Sequence, residues 1–249
     1  MADGTITRTM RVLSTLCLGG PQTLTALSDA VGLTPSTTLR FLRILQEEGY
    51  VTQRDDNRQW QATLEVWRLG AAVISQGGWI KLLNEVVQEV ARDTGETSIF
   101  AAYQDGWAMY LAHGASRHTV RTHVDIGGRY HASELTSGRA MLAHLPEDEL
   151  DRVMIEHWSA KRWSGEEGEA LRAKLARIAE RGYSSDTSTR WPGVWGCSVP
   201  VLDAEGAVVG ALGISVPPTR HPEDDAAEEA IAELLKSMAA RLSGLQHIH

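Results

Sequence analysis

Apolar side chains in the first fifty residues return at helical intervals, and glycines interrupt the pattern. Met10, Leu13 and Leu16 share one face, which Gly19-Gly20-Pro21 ends because glycine frees the backbone and proline cannot continue a helix. Leu24, Leu27 and Val31 share a second face, with Thr23 suited to cap its start and Gly32 its end. Thr34-Pro35 opens a third helix by supplying a hydroxyl for the orphan amides and then a residue pre-set for the first helical position. Gly49 closes it. Thr38, Phe41, Leu42 and Leu45 fall on its apolar side, and Ser36, Thr37, Arg40 and Arg43 on the other.

That polar side suits a nucleic-acid groove. Small hydroxyl side chains allow close backbone approach, the amide end attracts phosphate, and arginine can bond guanine or backbone oxygens. Two helices joined by a Gly32-Leu33 turn make a helix-turn-helix, with Thr34, Ser36, Thr37, Arg40 and Arg43 as the candidate DNA-binding set. The plain alternative is a helical hairpin with a solvated face. Residues 50–54 and 58–61 read as short strands around Asp55-Asp56-Asn57, a wing whose Arg54 and Arg58 flank the tip and are placed to touch phosphates. Apolar spacing resumes over 64–74 (Val66, Leu69, Val73) before Gly77-Gly78, which predicts a linker helix and a hinge.

The pattern then changes. Leu82, Val86, Val87 and Val90 predict a helix, followed by strand-like runs at 98–103, 107–112 and 119–124. Helices are expected at 136–144, 146–157 and 165–181, strands at Tyr183, 196–202 and 207–215, and a last helix over 222–242. Helices around an antiparallel sheet define an α+β domain. The organisation read from the chain is therefore a winged helix-turn-helix over 1–62, a linker over 63–78 and an α+β domain over 79–249.

Charge sharpens this division. The net charge is -8, yet residues 1–76 hold seven basic groups (Arg8, Arg11, Arg40, Arg43, Arg54, Arg58, Arg68) and seven acidic ones (Asp3, Asp29, Glu47, Glu48, Asp55, Asp56, Glu65), so the whole excess falls in the remainder. A neutral module steers weakly toward DNA at long range, so affinity is expected to depend on pairing two copies. No apolar run reaches the roughly 18 residues of a membrane span, and the first fifteen residues lack a signal-peptide core, so a cytoplasmic location without membrane contact is expected. Cys17 and Cys197 are the two cysteines, read as reduced and unpaired.

The motifs at 24–33 (LTALSDAVGL), 36–45 (STTLRFLRIL), 47–51 (EEGYV) and 67–70 (WRLG) together resemble the IclR family of bacterial transcription regulators, and the resemblance spans the chain. Trp60 stands for the family's wing-end aromatic and Leu69-Gly70 for its linker signature, while Ala62-Thr63 replaces a frequent Leu-Gly. The resemblance implies a GAF-like effector domain, a linker that helps pair the DNA-binding modules, and a homodimer or dimer of dimers. Half-sites on one face of the duplex lie about 34 Å or a multiple apart, so that pairing sets the operator.

Candidate effector contacts begin with Thr136-Ser137 ahead of Gly138-Arg139-Ala140, where helix-start amides and hydroxyls can hold a carboxylate. The resemblance adds Asp186, Gly196, Cys197, Gly213 and Ser215, and places arginine at Arg139 where the family carries lysine. Trp191 and Trp195 read either as an apolar pocket wall or as core and interface aromatics. Gly196 and Gly213 stand where relatives hold a thiol or a serine, which implies a larger, less polar site and a bulkier acid than two- or three-carbon ligands. His113, His118 and His123 recur every five residues and so alternate faces, which disfavours a metal site. No nucleophile elbow, metalloprotease helix, phosphate loop or dinucleotide fingerprint is present, so neither catalysis nor a cofactor is expected. The preferred reading is a regulator, more as a repressor, that binds double-stranded operator DNA under control of a small organic-acid or aromatic effector. The alternative is a DNA-binding or oligomerising protein whose sensor fold no longer senses.

Overall fold

The computed structural model describes residues 4–159, 166–222 and 224–244, and the chain divides into two compact units, Met1–Gly78 and Trp79–His249. In the first, α1 (Thr5–Gly19), α2 (Leu24–Val31) and α3 (Pro35–Glu47) pack around one core with a two-stranded wing, β1 (Val51–Gln53) and β2 (Trp60–Ala62). The expected caps form. Thr23 accepts from the Ala26 amide, Thr34 from the Thr37 amide, and Gly32 takes the left-handed conformation at φ 66° that ends α2. Phe41, Leu42 and Leu45 of α3 close on Val12, Leu13 and Leu16 of α1 and on Leu27 and Val31 of α2. Met10, expected on the buried face of α1, is 53% exposed, and Val12 takes the inward place. Trp60 anchors the wing: it is buried, and its amide and carbonyl exchange bonds with Gln22 at 2.7 and 2.9 Å. α4 (Leu64–Gly77) starts at Thr63, whose hydroxyl accepts from the Glu65 amide and donates to the Gly49 carbonyl.

The second unit is a six-stranded antiparallel sheet in the order β5-β4-β3-β8-β7-β6, between two helical layers. Its strands are β3 (Thr97–Gln104), β4 (Trp107–Gly114), β5 (Arg129–His131), β6 (Ser184–Thr187), β7 (Trp195–Leu202) and β8 (Val208–Val216). α5 (Trp79–Thr94) and α9 (Asp225–Ala239) cover one face, burying Leu83, Val86, Val87 and Leu235 against Phe100, Cys197, Val199 and Leu212. On the other face α6 (Thr136–Leu142), α7 (Glu147–Ser159) and α8 (Glu166–Arg181) pack Met141, Leu142, Val153, Leu175 and Ile178 against Ala101, Tyr103 and Ala211. Gly165, the expected start of α8, lies outside the described residues.

One expected strand is absent. Residues 119–124 form an irregular segment, and the edge position beside β4 is taken by β5, through Trp107↔His131, Ala108↔Tyr130 and Met109↔Arg129. Of its two valines, Val124 is buried and Val120 is 63% exposed. Side chains hold the segment instead of a ladder: Thr97 donates to the Thr122 carbonyl, Thr122 to the Ser215 carbonyl, and Arg220 to the Val120 carbonyl. The Arg220 guanidinium is itself clamped on the Glu96 carboxylate at 2.5 and 2.8 Å.

α6 lies unusually close to the turn that precedes it. A Cβ at Gly138 would sit 1.9 Å from the Ala132 carbonyl oxygen, a backbone atom that cannot swing away. Overpacking of a dense core costs about 1–3 kcal/mol. Gly138→Ala is therefore expected to lower the unfolding free energy of the second unit by an amount in that range, read from urea denaturation, with unchanged stability refuting the close packing of α6.

Candidate functional site

The N-terminal surface is built by the cap and face of α3. Thr34 holds the helix start through the Thr37 amide and exchanges hydroxyl contacts with Ser36 at 3.2 Å and Thr37 at 2.9 Å. Ser36, Arg40 and Arg43 are exposed and Thr37 half-buried, while Thr38 points into the core. The Arg40 guanidinium lies 5.2 Å from the Phe41 ring centroid, which braces its stem. At the wing the two arginines differ. Arg54 makes a two-pronged pair with Asp56 at 3.0 and 3.1 Å, and this hydrogen bonding lowers the Asp56 pKa and raises that of Arg54. Arg58 is exposed on a turn with φ 58°, offering its charge more directly. The positive surface thus concentrates on α3 and Arg58.

In the second unit a cavity opens between the sheet and α6. Its cause is the size of the side chains facing α6 at the ends of the central strands. In one row across the sheet Ile99 pairs with Gly213 and Gly213 with Ser198; in the next Thr97 pairs with Ser215, Ser215 with Gly196, and Gly196 with Asp186. Small residues there leave room under α6 and the loop before β7. The inner recess, about 40 Å³, is lined by Thr136, Ser137, Ser188, Ser198, Ser215 and the Tyr110 ring, among others. It shares Ile99, Tyr110, Trp191, Val194 and Ser215 with an outer chamber of about 260 Å³ walled by Tyr130, Val124 and the 122–125 segment. Tyr130 stands between Tyr110 and Trp191, with centroids 5.3 and 5.1 Å away. The chamber is aromatic, the recess hydroxylic.

Of the residues expected here, Thr136, Ser137, Trp195, Gly196, Gly213 and Ser215 line the recess. Two do not. Cys197 lies on the opposite parity of β7, fully buried against α5 and α9, and burial pushes its thiol up to about 12. The Asp186 carboxylate is turned to Lys174 of α8, stands 3.7 Å from Arg139, and accepts the Thr187 amide. Arg139 is 2% exposed, with burial drawing its pKa down to about 10, so it remains a cation in need of that counter-ion. Asp186 touches the cavity region only through its carbonyl, which accepts from the Thr136 hydroxyl at 3.4 Å.

The two glycines also read differently in three dimensions. A Cβ at Gly213 would lie 2.1 Å from the Ser198 hydroxyl, so the space is filled by a cross-strand neighbour rather than left open. At Gly196 a Cβ would meet Thr136 Oγ1 at 3.1 Å. The recess is neither enlarged nor stripped of polar groups, and room for bulk lies in the outer chamber. Tyr110, Ser198, Ser188, Ile99, Val194 and Tyr130 escaped the sequence reading; only Ser198, a hydroxyl within an apolar strand at the parity of Gly196, left a signal there. Among the described residues no cluster of three metal-binding side chains occurs, and no helix is long and apolar enough to cross a membrane.

A helix-turn-helix in one unit and a half-open cavity beneath α6 in the other place the chain in the class of two-part DNA-binding regulators. The model of the bacterial transcriptional regulator IclR C-terminal domain matches residues 71–244 and that of the IclR helix-turn-helix domain residues 5–55, and the chain belongs to the IclR family of transcriptional regulators. The HTH-type transcriptional regulator KdgR of Escherichia coli is 28% identical over 228 residues, covering 91% of this chain and 86% of its own. An IclR transcriptional regulator from Alicyclobacillus acidocaldarius superposes with a TM-score of 0.80 at 24% identity over 98% of both chains. An IclR homolog from Microbacterium hydrocarbonoxydans, solved in complex with 4-hydroxybenzoate, gives 0.77 at 20% identity over 96% of this chain and 98% of that one. The family consists of DNA-binding regulators rather than enzymes.

The placement of Cys197 has a direct readout. A thiol that stays protonated and enclosed does not alkylate. Iodoacetamide at pH 7.5 followed by peptide mapping is expected to leave Cys197 unmodified in the native protein and to label it in urea; rapid native labelling would contradict its burial.

Proposed function

We propose that the chain represses transcription as a homodimer or dimer of dimers, and that a small carboxylic acid carrying an aromatic ring controls its hold on operator DNA. The observation that carries this reading is the two-part cavity, whose hydroxyl-lined recess suits a carboxylate and whose Tyr110, Tyr130 and Trp191 wall suits a ring. The 4-hydroxybenzoate held by the Microbacterium homolog is an acid of this kind. An effector with different affinities for the DNA-competent and DNA-incompetent arrangements shifts their populations by that difference.

On the DNA side, Ser36, Thr37, Arg40 and Arg43 read the major groove, with Thr34 at the helix start and Arg58 on phosphate; Arg54 joins only after parting from Asp56. Pairing is supported by apolar groups left in water on the same unit, with Ile6 of α1 80% and Trp67 of α4 71% exposed, surfaces a second copy would cover.

Operator fragments selected from genomic DNA give the first test. Arg40→Ala is expected to weaken binding by about 1–3 kcal/mol at fixed salt; unchanged affinity would remove α3 from the interface. The second test is thermal. Benzoate or 4-hydroxybenzoate at about a hundredfold its Kd should add about 2.7 kcal/mol to native stability and raise Tm accordingly. Ser137→Trp should abolish that shift while leaving operator binding intact. A wild-type protein whose Tm ignores every aromatic acid would mean that this domain serves oligomerisation alone.

A further inference from the structure

A carboxylate only accepts hydrogen bonds, so the hydroxyls that can hold one are those with a hydrogen to spare. Thr136 spends its hydrogen on the Asp186 carbonyl, and Ser137 lines the recess from the start of α6. Ser188 is fixed to the overlying loop, its oxygen accepting the amides of Arg190 and Trp191 at 3.2 Å each, and it keeps its own hydrogen on the loop side of the recess. On the sheet side the hydroxyls are those of Ser198 and Ser215. Both line the recess from the sheet, and neither hydroxyl has a protein hydrogen-bond partner among the described residues.

Their placement fits one anion. Ser198 of β7 pairs with Gly213 of β8, and Ser215 is two residues further along β8, so the two serines are diagonal neighbours on the face turned toward α6. Diagonal neighbours in an antiparallel pair stand roughly 7–8 Å apart, a span that one carboxylate bridges by accepting a hydrogen bond from each side. Ser198 is 3% exposed and its hydroxyl occupies the volume above Gly213, where any side chain would strike both Ser198 Oγ and, at 2.6 Å, the Cys197 carbonyl. Gly213 is thereby the residue that lets Ser198 reach the recess.

We infer that Ser198 is a specificity-determining residue of the sensor, donating to the effector carboxylate together with Ser215 from the floor of the recess. The inference rests on the acid-sensing reading above and adds a donor that lies outside the set expected from the sequence. Ser198 selects the charged acid over a neutral analogue of the same shape, because removing one hydrogen bond to a charged group costs more than removing one to a neutral amide.

Calorimetric titration of the full chain with benzoate, 4-hydroxybenzoate and benzamide tests it. The wild type is expected to prefer the acids to benzamide. Ser198→Ala should bind the acids at least about tenfold more weakly and lose most of that preference, with Tm and operator binding unchanged. Ser215→Ala should act in the same direction. If Ser198→Ala binds within twofold of wild type and keeps the acid preference, Ser198 is not the reader and the acid-sensing reading survives without it. If the wild type binds none of the probes, the acid-sensing reading fails and this assignment falls with it.

Discussion

A guanidinium with almost no access to water is the constraint around which the sensor domain is arranged. Arg139 sits inside α6, donates to the Ser133 carbonyl at 3.0 Å, and has Asp186 of β6 as its acidic neighbour, which Lys174 of α8 shares. Isolated buried charge is far too costly to persist, and removing one member of a buried pair typically destabilises by about 3–5 kcal/mol. This ionic knot joins α6, α8 and β6 and assigns the Asp186 carboxylate to structure. The recess on the near side of α6 is left without the Asp186 carboxylate, which would repel an acid, while the outer chamber is lined by His123 and Asp125 as well as by its rings.

The DNA-binding unit solves a different problem with less charge. Its basic and acidic groups balance, and at the wing Arg54 is already matched with Asp56, so the electrostatic term that usually dominates DNA affinity is small for one copy. In the reading proposed above, specific contacts from the exposed face of α3 carry more of the binding and two modules act together. In that reading modest intrinsic affinity has a regulatory use, since an effector whose binding differs between two arrangements by a small free energy can empty the operator.

How much of this was legible in the chain depended on the range of the interactions. Helix faces and caps were readable because they are set by residues three and four apart: Thr23, Thr34-Pro35 and Gly32 act within one turn, and Phe41, Leu42 and Leu45 need only a common side. The 119–124 run departs from its strand-like sequence because strand propensity over a few residues does not say whether a sheet edge is available, and β5 occupies that edge. Met10 and Val12 exchanged roles for a similar reason, as two faces of α1 are apolar and only packing against α2 and α3 selects one.

The site shows the same division more sharply. The residue chemistry of the chain determined by itself a helix-turn-helix, a wing, a further helix after it and an α+β domain with Thr136-Ser137 at a helix start, because each follows from local pattern and side-chain type. Tertiary structure alone decided that Cys197 faces the other core, that Asp186 answers Arg139 and Lys174, and that the room at Gly213 belongs to Ser198. Those outcomes depend on strand parity, cross-strand register and the position of a charge forty-seven residues away in the chain. The free energy of burial acts on neighbours in space, and no spacing along the sequence encodes which neighbours those will be.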